Sequence, residues 1–143
     1  YRPDIPEVNN WLNKNLKRTE FMPFAPVTMW EHAKDCYLGI EGAERTAEYM
    51  TITFECTKKM KINSSGVVHI DGTARPQLIK REVNSFYYDI IKYFYELSGI
   101  PSLVNTSFNM HEEPIVCNPD EAIKAFQQSK IDVLSLGPYL IFN

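Results

Sequence analysis

The chain has only three cysteines, Cys36, Cys56 and Cys117, odd in number and widely spaced. Without a C-x-x-C pair they supply neither a zinc site nor a disulfide framework, which favours a reducing, cytoplasmic location. Each reads as a small packing residue before it reads as a nucleophile. Its three histidines, His32, His69 and His111, are too scattered for a metal motif, and no metal ligand is assigned in this chain. No run of about 18 apolar residues is present, so no segment is expected to span a membrane. Neither sign of charge dominates. A formal net charge of -3 gives no overall pull toward nucleic acid or anionic lipid. Internal repeats and low-complexity stretches are absent. The opening Tyr1-Arg2-Pro3-Asp4 is neither a signal peptide nor an initiator methionine, and the expectation is a fragment of a longer protein.

What is present suits one α/β domain. At 143 residues, 44% apolar and 13% aromatic, the chain can bury a real core. Val8, Trp11, Leu12 and Leu16 recur at helical spacing over Pro6 to Leu16. Phe21 to Met29, with two prolines, is expected to be extended and to lie at a sheet edge. A short helix is expected over Glu31 to Tyr37 and a loop over Ile40 to Thr46. Tyr49 to Phe54 alternates like a half-buried strand. Lys58 to Lys61 reads as a basic turn, and Val67 to Ile70 as a second strand able to pair with the first. Asn84 to Leu97 is the strongest helix. Phe86, Ile90, Ile91, Phe94 and Leu97 are its expected core face, and Gly99 and Pro101 end it. Pro101 to Val104 reads as a buried strand. Asn118-Pro119-Asp120-Glu121 has the cap, proline and acids of a helix start. Val133 to Leu136 and Tyr139 to Phe142 read as strands split by Gly137-Pro138.

The chemistry is concentrated in three places. The strand at Pro101 runs into Asn105-Thr106-Ser107-Phe108-Asn109. Alternation puts Asn105, Ser107 and Asn109 on one side and Phe108 and Met110 on the other. Three short hydrogen-bonding side chains at the carboxyl end of a strand suit an oxygen-rich ligand such as a phosphate or acyl group, although a polar turn capping a strand gives the same pattern. In Asp71 to Gln77 a turn leads to Arg75, stiffened by Pro76, whose guanidinium fork matches phosphate or carboxylate; an exposed surface arginine is the alternative. Lys17-Arg18 follows the first helix, as binding cations or as plain C-terminal capping. Cations with neutral polar groups and no evident base suit phosphoryl or nucleotidyl chemistry better than acyl hydrolysis. Ser107 has no G-x-S-x-G context.

The segments KRTEFMPFAP (Lys17 to Pro26), HIDGTARPQ (His69 to Gln77) and LVNTSFNMHEEPIVCNPDEAI (Leu103 to Ile123) resemble, in order, the C-terminal domain of nodulation-type O-carbamoyltransferases. That resemblance implies a YrdC-like fold, a twisted mixed sheet with packed helices in a single domain. It implies binding of ATP and carbamoyl phosphate and formation of carbamoyl adenylate. The Ser-x-Asn signature falls on Ser107 and Asn109, and the basic pair on Lys17 and Arg18, adjacent here where the family spaces them by one residue. By the same resemblance Lys17, Arg18, Arg75 and Ser107 are catalytic, while Thr73, Asn105, Thr106, Ser107 and Asn109 bind the nucleotide and carbamoyl phosphate. The hydroxyl acceptor and a metal, iron or magnesium, belong to an N-terminal ASKHA-type domain of the same polypeptide, absent from these residues. An arginine-containing stretch that usually precedes this point is absent as well. Glu112 stands where the family usually carries glycine. The other class of function open to such a fold is a non-catalytic nucleotide- or RNA-binding module; the charge balance speaks against nucleic acid as a partner.

Overall fold

A computed structural model describes residues 1–17 and 23–143. In chain order the elements are α1 (Glu7–Asn15), β1 (Ala25–Met29), α2 (Ala33–Cys36), α3 (Glu44–Ala47), β2 (Phe54–Glu55), α4 (Lys58–Asn63), β3 (Thr73–Ala74), β4 (Gln77–Ile79), α5 (Ser85–Ser98), β5 (Ser102–Asn105), α6 (Pro119–Ser129), β6 (Val133–Leu136) and β7 (Tyr139–Phe142). The expected α/β class is observed. No helix among the described residues is long and apolar enough to cross a membrane. The chain divides into two compact units, Tyr1–Val8 with Pro23–Asn105, and Asn9–Met22 with Thr106–Asn143.

The first unit is built on a mixed sheet of order β4-β1-β5, with β1 parallel to β4 and antiparallel to β5. The strand expected at an edge is therefore central, and all five of its residues are buried. Pro26 is tolerated there for a geometric reason. Val104 donates its N–H to the Tyr1 carbonyl at 2.9 Å, away from β1, so the Pro26–Val104 pair is a non-hydrogen-bonded one. The nitrogen of Pro26 faces the other side, one residue before the β4 register opens at Val27–Gln77, where no donor is needed.

One face of this sheet, through Val27, Met29 and Ile79, packs against Tyr88 and Ile91 of α5, with Leu103, Tyr87 and Tyr95 around them. The other face is polar at its centre. Thr28 Oγ1 lies 2.6 Å from the Tyr37 hydroxyl and 2.9 Å from Ser102 Oγ, all three buried. Burial pushes the Tyr37 phenol well above its ordinary range, so it remains a neutral hydrogen-bonding group.

Helix α5 begins where Asn84 accepts the Tyr87 N–H and ends at Gly99 in the left-handed region, φ 73°, whose N–H returns to the Tyr95 carbonyl. Its core face differs from the expected one. Ile91 is buried, but Phe86, Ile90 and Leu97 are exposed, with Leu97 at 89%. The helix carries two apolar stripes, and the tyrosine-bearing one faces the sheet; Tyr88 can do so because Glu31 accepts its hydroxyl at 2.8 Å.

Four short elements also differ, the first being the loop expected over Ile40 to Thr46, whose end lies in α3 (Glu44–Ala47). Between Tyr49 and Phe54 only Phe54 is in a strand. Tyr49 N–H and Thr51 Oγ1 both bond the Thr46 carbonyl, and Met50 adopts φ 54°, so helix-end hydrogen bonds hold the segment in a turn. Lys58 to Lys61 is not a turn but the start of α4, capped by Thr57 and anchored by buried Met60. Val67 to Ile70 is not a strand. Gly66 N–H is tied to the Pro3 carbonyl at 2.7 Å, Ile70 is fully exposed, and β2 pairs instead with Thr73–Ala74.

In the second unit α6 follows its sequence signals: Asn118 accepts the Glu121 N–H at 2.9 Å and Pro119 occupies the first turn. Ala122, Phe126 and Leu134 form its core with Phe108, Val116, Ile131, Leu136 and Ile141. Strands β6 and β7 pair antiparallel across Gly137-Pro138, as expected.

Candidate functional site

In the first unit the segment His69 to Gln77 is held by its own side chains. The His69 carbonyl accepts the Gly72 N–H at 2.9 Å, and Gly72 takes φ 84°. Asp71 Oδ1 accepts both the Thr73 N–H, at 2.9 Å, and the Thr73 hydroxyl, at 2.7 Å. These two bonds hold the Asp71 carboxyl below its usual range. The Thr73 proton is spent on Asp71, so His69 Nδ1, 3.2 Å from Thr73 Oγ1, must be the donor in that contact. Thr73 thus stiffens the turn, and its hydroxyl is already engaged. Arg75 emerges between β3 and β4, exposed, followed by buried Pro76. Arg2 and Arg81 are tied to Asp4 and Asp89, whereas Arg75 has no carboxylate partner among the described residues. A free guanidinium on a stiff backbone is the geometry an incoming anion requires.

Asn105 ends β5 in the same unit. Its Nδ2 donates to Gln77 Oε1 at 2.8 Å and lies 3.9 Å from Met50 Sδ. Gln77, not among the expected ligand residues, is therefore part of the cluster. Its role depends on β4 and β5 flanking β1, which no local pattern reveals. Asn105 sits at the carboxyl end of β5 but at the amino ends of β1 and β4, so the strand-end rule for parallel sheets does not describe this site.

In the second unit the expected alternation holds over Ser107 to Met110 only, since Asn105 belongs to the first unit and Thr106 is exposed. Phe108 and buried Met110 point inward. Ser107 Oγ donates to Asn109 Oδ1 at 2.7 Å, and Asn109 Nδ2 donates to the Glu113 carbonyl at 2.7 Å. Ser107 bonds an amide oxygen and not a base, so it is not poised as a nucleophile. Thr106 is exposed. The Glu113 N–H closes a turn onto the Met110 carbonyl at 3.0 Å, and Glu112 within it adopts φ 65°. That is the conformation which favours glycine. Lys17 is exposed with φ 56° after α1, and Arg18 lies outside the described residues. A cleft of about 310 Å³ opens beside α6, lined by Glu113, Pro114, Val116, Glu121, Lys124 and Ala125. Two carboxylates against one ammonium make it a poor anion site, and it contains none of the expected residues. Among the described residues no three His, Cys, Asp or Glu side chains gather as a metal site.

The family described as Carbamoyltransferase C-terminus matches residues 1–143. An uncharacterized protein of Methanocaldococcus jannaschii is 43% identical over 130 residues, covering 91% of this chain and 25% of that protein. Nodulation protein NolO of Bradyrhizobium diazoefficiens is 36% identical over 126 residues, covering 87% of this chain and 23% of that protein. The chain thus spans about a quarter of the length of the curated relatives it matches. Full-length HypF, crystallised in a phosphate- and nucleotide-bound form, superposes with a TM-score of 0.57 over 89% of this chain and 16% of its own, at 17% identity. That likeness is one of fold.

Proposed function

Because the chain belongs to the carbamoyltransferase C-terminus family, we propose that it is the part of a longer enzyme that binds carbamoyl phosphate and ATP and forms carbamoyl adenylate for O-carbamoylation of a hydroxyl acceptor. Arg75 carries this reading: an exposed guanidinium with no carboxylate partner among the described residues, projected from a backbone fixed by Asp71, Thr73 and Pro76. Adenylate formation from these two needs water to split carbamoyl phosphate into carbamate and inorganic phosphate, after which a carbamate oxygen bonds to the α-phosphorus of ATP and expels pyrophosphate. The protein's task is to hold anionic oxygens in place and offset their charge, and a preorganised arginine does both. In the second unit Lys17, Arg18, Thr106, Ser107 and Asn109 are the proposed nucleotide contacts, on the strength of the motifs they match.

Titration calorimetry with ATP and with carbamoyl phosphate tests this. Losing a charge-assisted contact costs about 1.5–3 kcal/mol, so Arg75→Ala should weaken the anion it holds by roughly ten-fold or more. Arg75→Lys should recover only part of that, because a point charge cannot make the fork. Unchanged affinity for both ligands in Arg75→Ala overturns the assignment. Binding of ATP without any of carbamoyl phosphate would instead favour the non-catalytic nucleotide module.

A further inference from the structure

Gln77 and Asn105 meet across the first residues of β1. Asn105 is the register partner of Ala25 and Gln77 that of Val27, so all four side chains share one face of the sheet. Ala25 adds only a methyl group to that face, and the two amides meet at 2.8 Å. Each carboxamide carries one oxygen and one NH2 group. The single bond between them, Asn105 Nδ2 to Gln77 Oε1, consumes one of each. It leaves Asn105 Oδ1 as an acceptor and Gln77 Nε2 as a donor, and neither has another partner among the described residues. Exchanging oxygen and nitrogen on both amides swaps the roles but leaves the same remainder, one acceptor beside one donor. The result does not depend on how the amides are oriented.

Both residues are half-buried, and their free acceptor and donor are not among the polar atoms shut off from solvent, so a ligand can take the place of water on both. The group that satisfies both at once presents an NH2 and a neighbouring acceptor, as a primary carboxamide does. Phosphate and carboxylate offer acceptors only, and a methyl ketone lacks the donor. The amidine edge of adenine has the same pattern as a carboxamide. The position of Arg75 separates the two. It lies two residues before Gln77, roughly 7 Å along an extended chain, which matches a ligand whose amide and phosphate are neighbours. In carbamoyl phosphate one ester oxygen separates them, whereas in ATP a ribose intervenes. Resting on the reading that this chain takes carbamoyl phosphate, we propose that Gln77, held by Asn105, is the residue that selects the carbamoyl group, donating to its carbonyl while Asn105 accepts from its NH2.

The test is a ratio. Calorimetry with freshly prepared carbamoyl phosphate and with acetyl phosphate, which puts a methyl in place of the NH2, should give the wild-type chain a preference for the former of roughly ten-fold. Gln77→Glu keeps the bond to Asn105 but presents two acceptors, and Gln77→Met removes the donor without adding charge. Either should bring the ratio close to one, and ATP affinity should not follow. A wild-type ratio near one overturns the inference while leaving acyl-phosphate binding intact, and this arm needs no variant to fold. A preference that survives both substitutions overturns it too, as does a loss confined to ATP, which would assign the pair to adenine. If the wild-type chain binds neither acyl phosphate, the proposed function itself fails.

Discussion

Replacing Glu112 by glycine should stabilise the protein, and replacing it by alanine should not. Glu112 sits at φ 65° in a turn closed by the 3.0 Å bond from the Glu113 N–H to the Met110 carbonyl. A residue with a Cβ loses about 1–2 kcal/mol in that region. Glycine removes the loss but gives back about 0.5–1 kcal/mol through the greater freedom of its unfolded chain. The net gain is about 0.5–1 kcal/mol for Glu112→Gly and about zero for Glu112→Ala, which keeps the Cβ. At about 2.1 cal/mol/K per residue the unfolding entropy of a chain this size is about 0.3 kcal/mol/K, so the glycine variant should melt about 2–3 °C higher. Differential scanning calorimetry of the three proteins at one scan rate measures this. Equal stabilisation by alanine and glycine would mean that the carboxylate, and not the backbone, is the source of strain. A lower melting temperature for glycine would refute the reasoning outright. The same samples address function: if the carboxylate repels a bound phosphate, both variants should bind inorganic phosphate more tightly.

Ile91→Ala should cost about 2–5 kcal/mol, since Ile91 is fully buried, whereas Leu97→Lys should stay within about 0.5 kcal/mol; urea unfolding of both would expose an error if the two costs were alike. Burial pushes the Cys36 thiol up to about 12 and Cys56 to about 11, while Cys117 is exposed with its thiol raised by Glu121. Alkylation of the native protein at pH 8, read by peptide mass spectrometry, should therefore mark Cys117 alone and run faster in Glu121→Gln. The folded-state depression of Asp71 adds stability that is present above the ordinary aspartate range, about 4, and is lost as pH falls through the lower folded value. Asp71→Asn should accordingly lose less stability on acidification than wild type in denaturant titrations from pH 6 to pH 3, and parallel curves would contradict this.

The long elements were legible because their ends carry chemistry of their own. Asn84 and Gly99 bracket α5, and Asn118 with Pro119 opens α6, each as local sequence indicates. Several short elements were not, because distant partners decide them, although the hairpin of β6 and β7 was. Gly66 is fixed by Pro3, β2 by Thr73 and Ala74, and the central place of β1 by a proline whose missing donor falls where none is needed. The site divides in the same way. Alternation alone placed Phe108 inward and Ser107 beside Asn109, and the glycine expected at Glu112 pointed to the left-handed turn found there. Gln77 was invisible, since its meeting with Asn105 depends on the sheet's strand order. The exposed stripe of α5 has the same helical period as the buried one, and periodicity reveals that a stripe exists but not which of two faces the core.

The buried hydroxyls of Thr28, Tyr37 and Ser102 have a consequence for how the chain finds its fold. Thr28 and Ser102 are register partners 74 residues apart in sequence. Sliding β5 by one residue along β1 would turn Ser102 into the apolar layer under α5 and strand its hydroxyl without water or partner, at about 1–3 kcal/mol, while Thr28 would keep only its bond to Tyr37. By hydrophobicity alone a slipped strand would be nearly as acceptable as the native one. The three hydroxyls therefore act as a checksum on the longest-range pairing in the sheet: they add little to the depth of the native state, yet they empty the misaligned states that lie beside it.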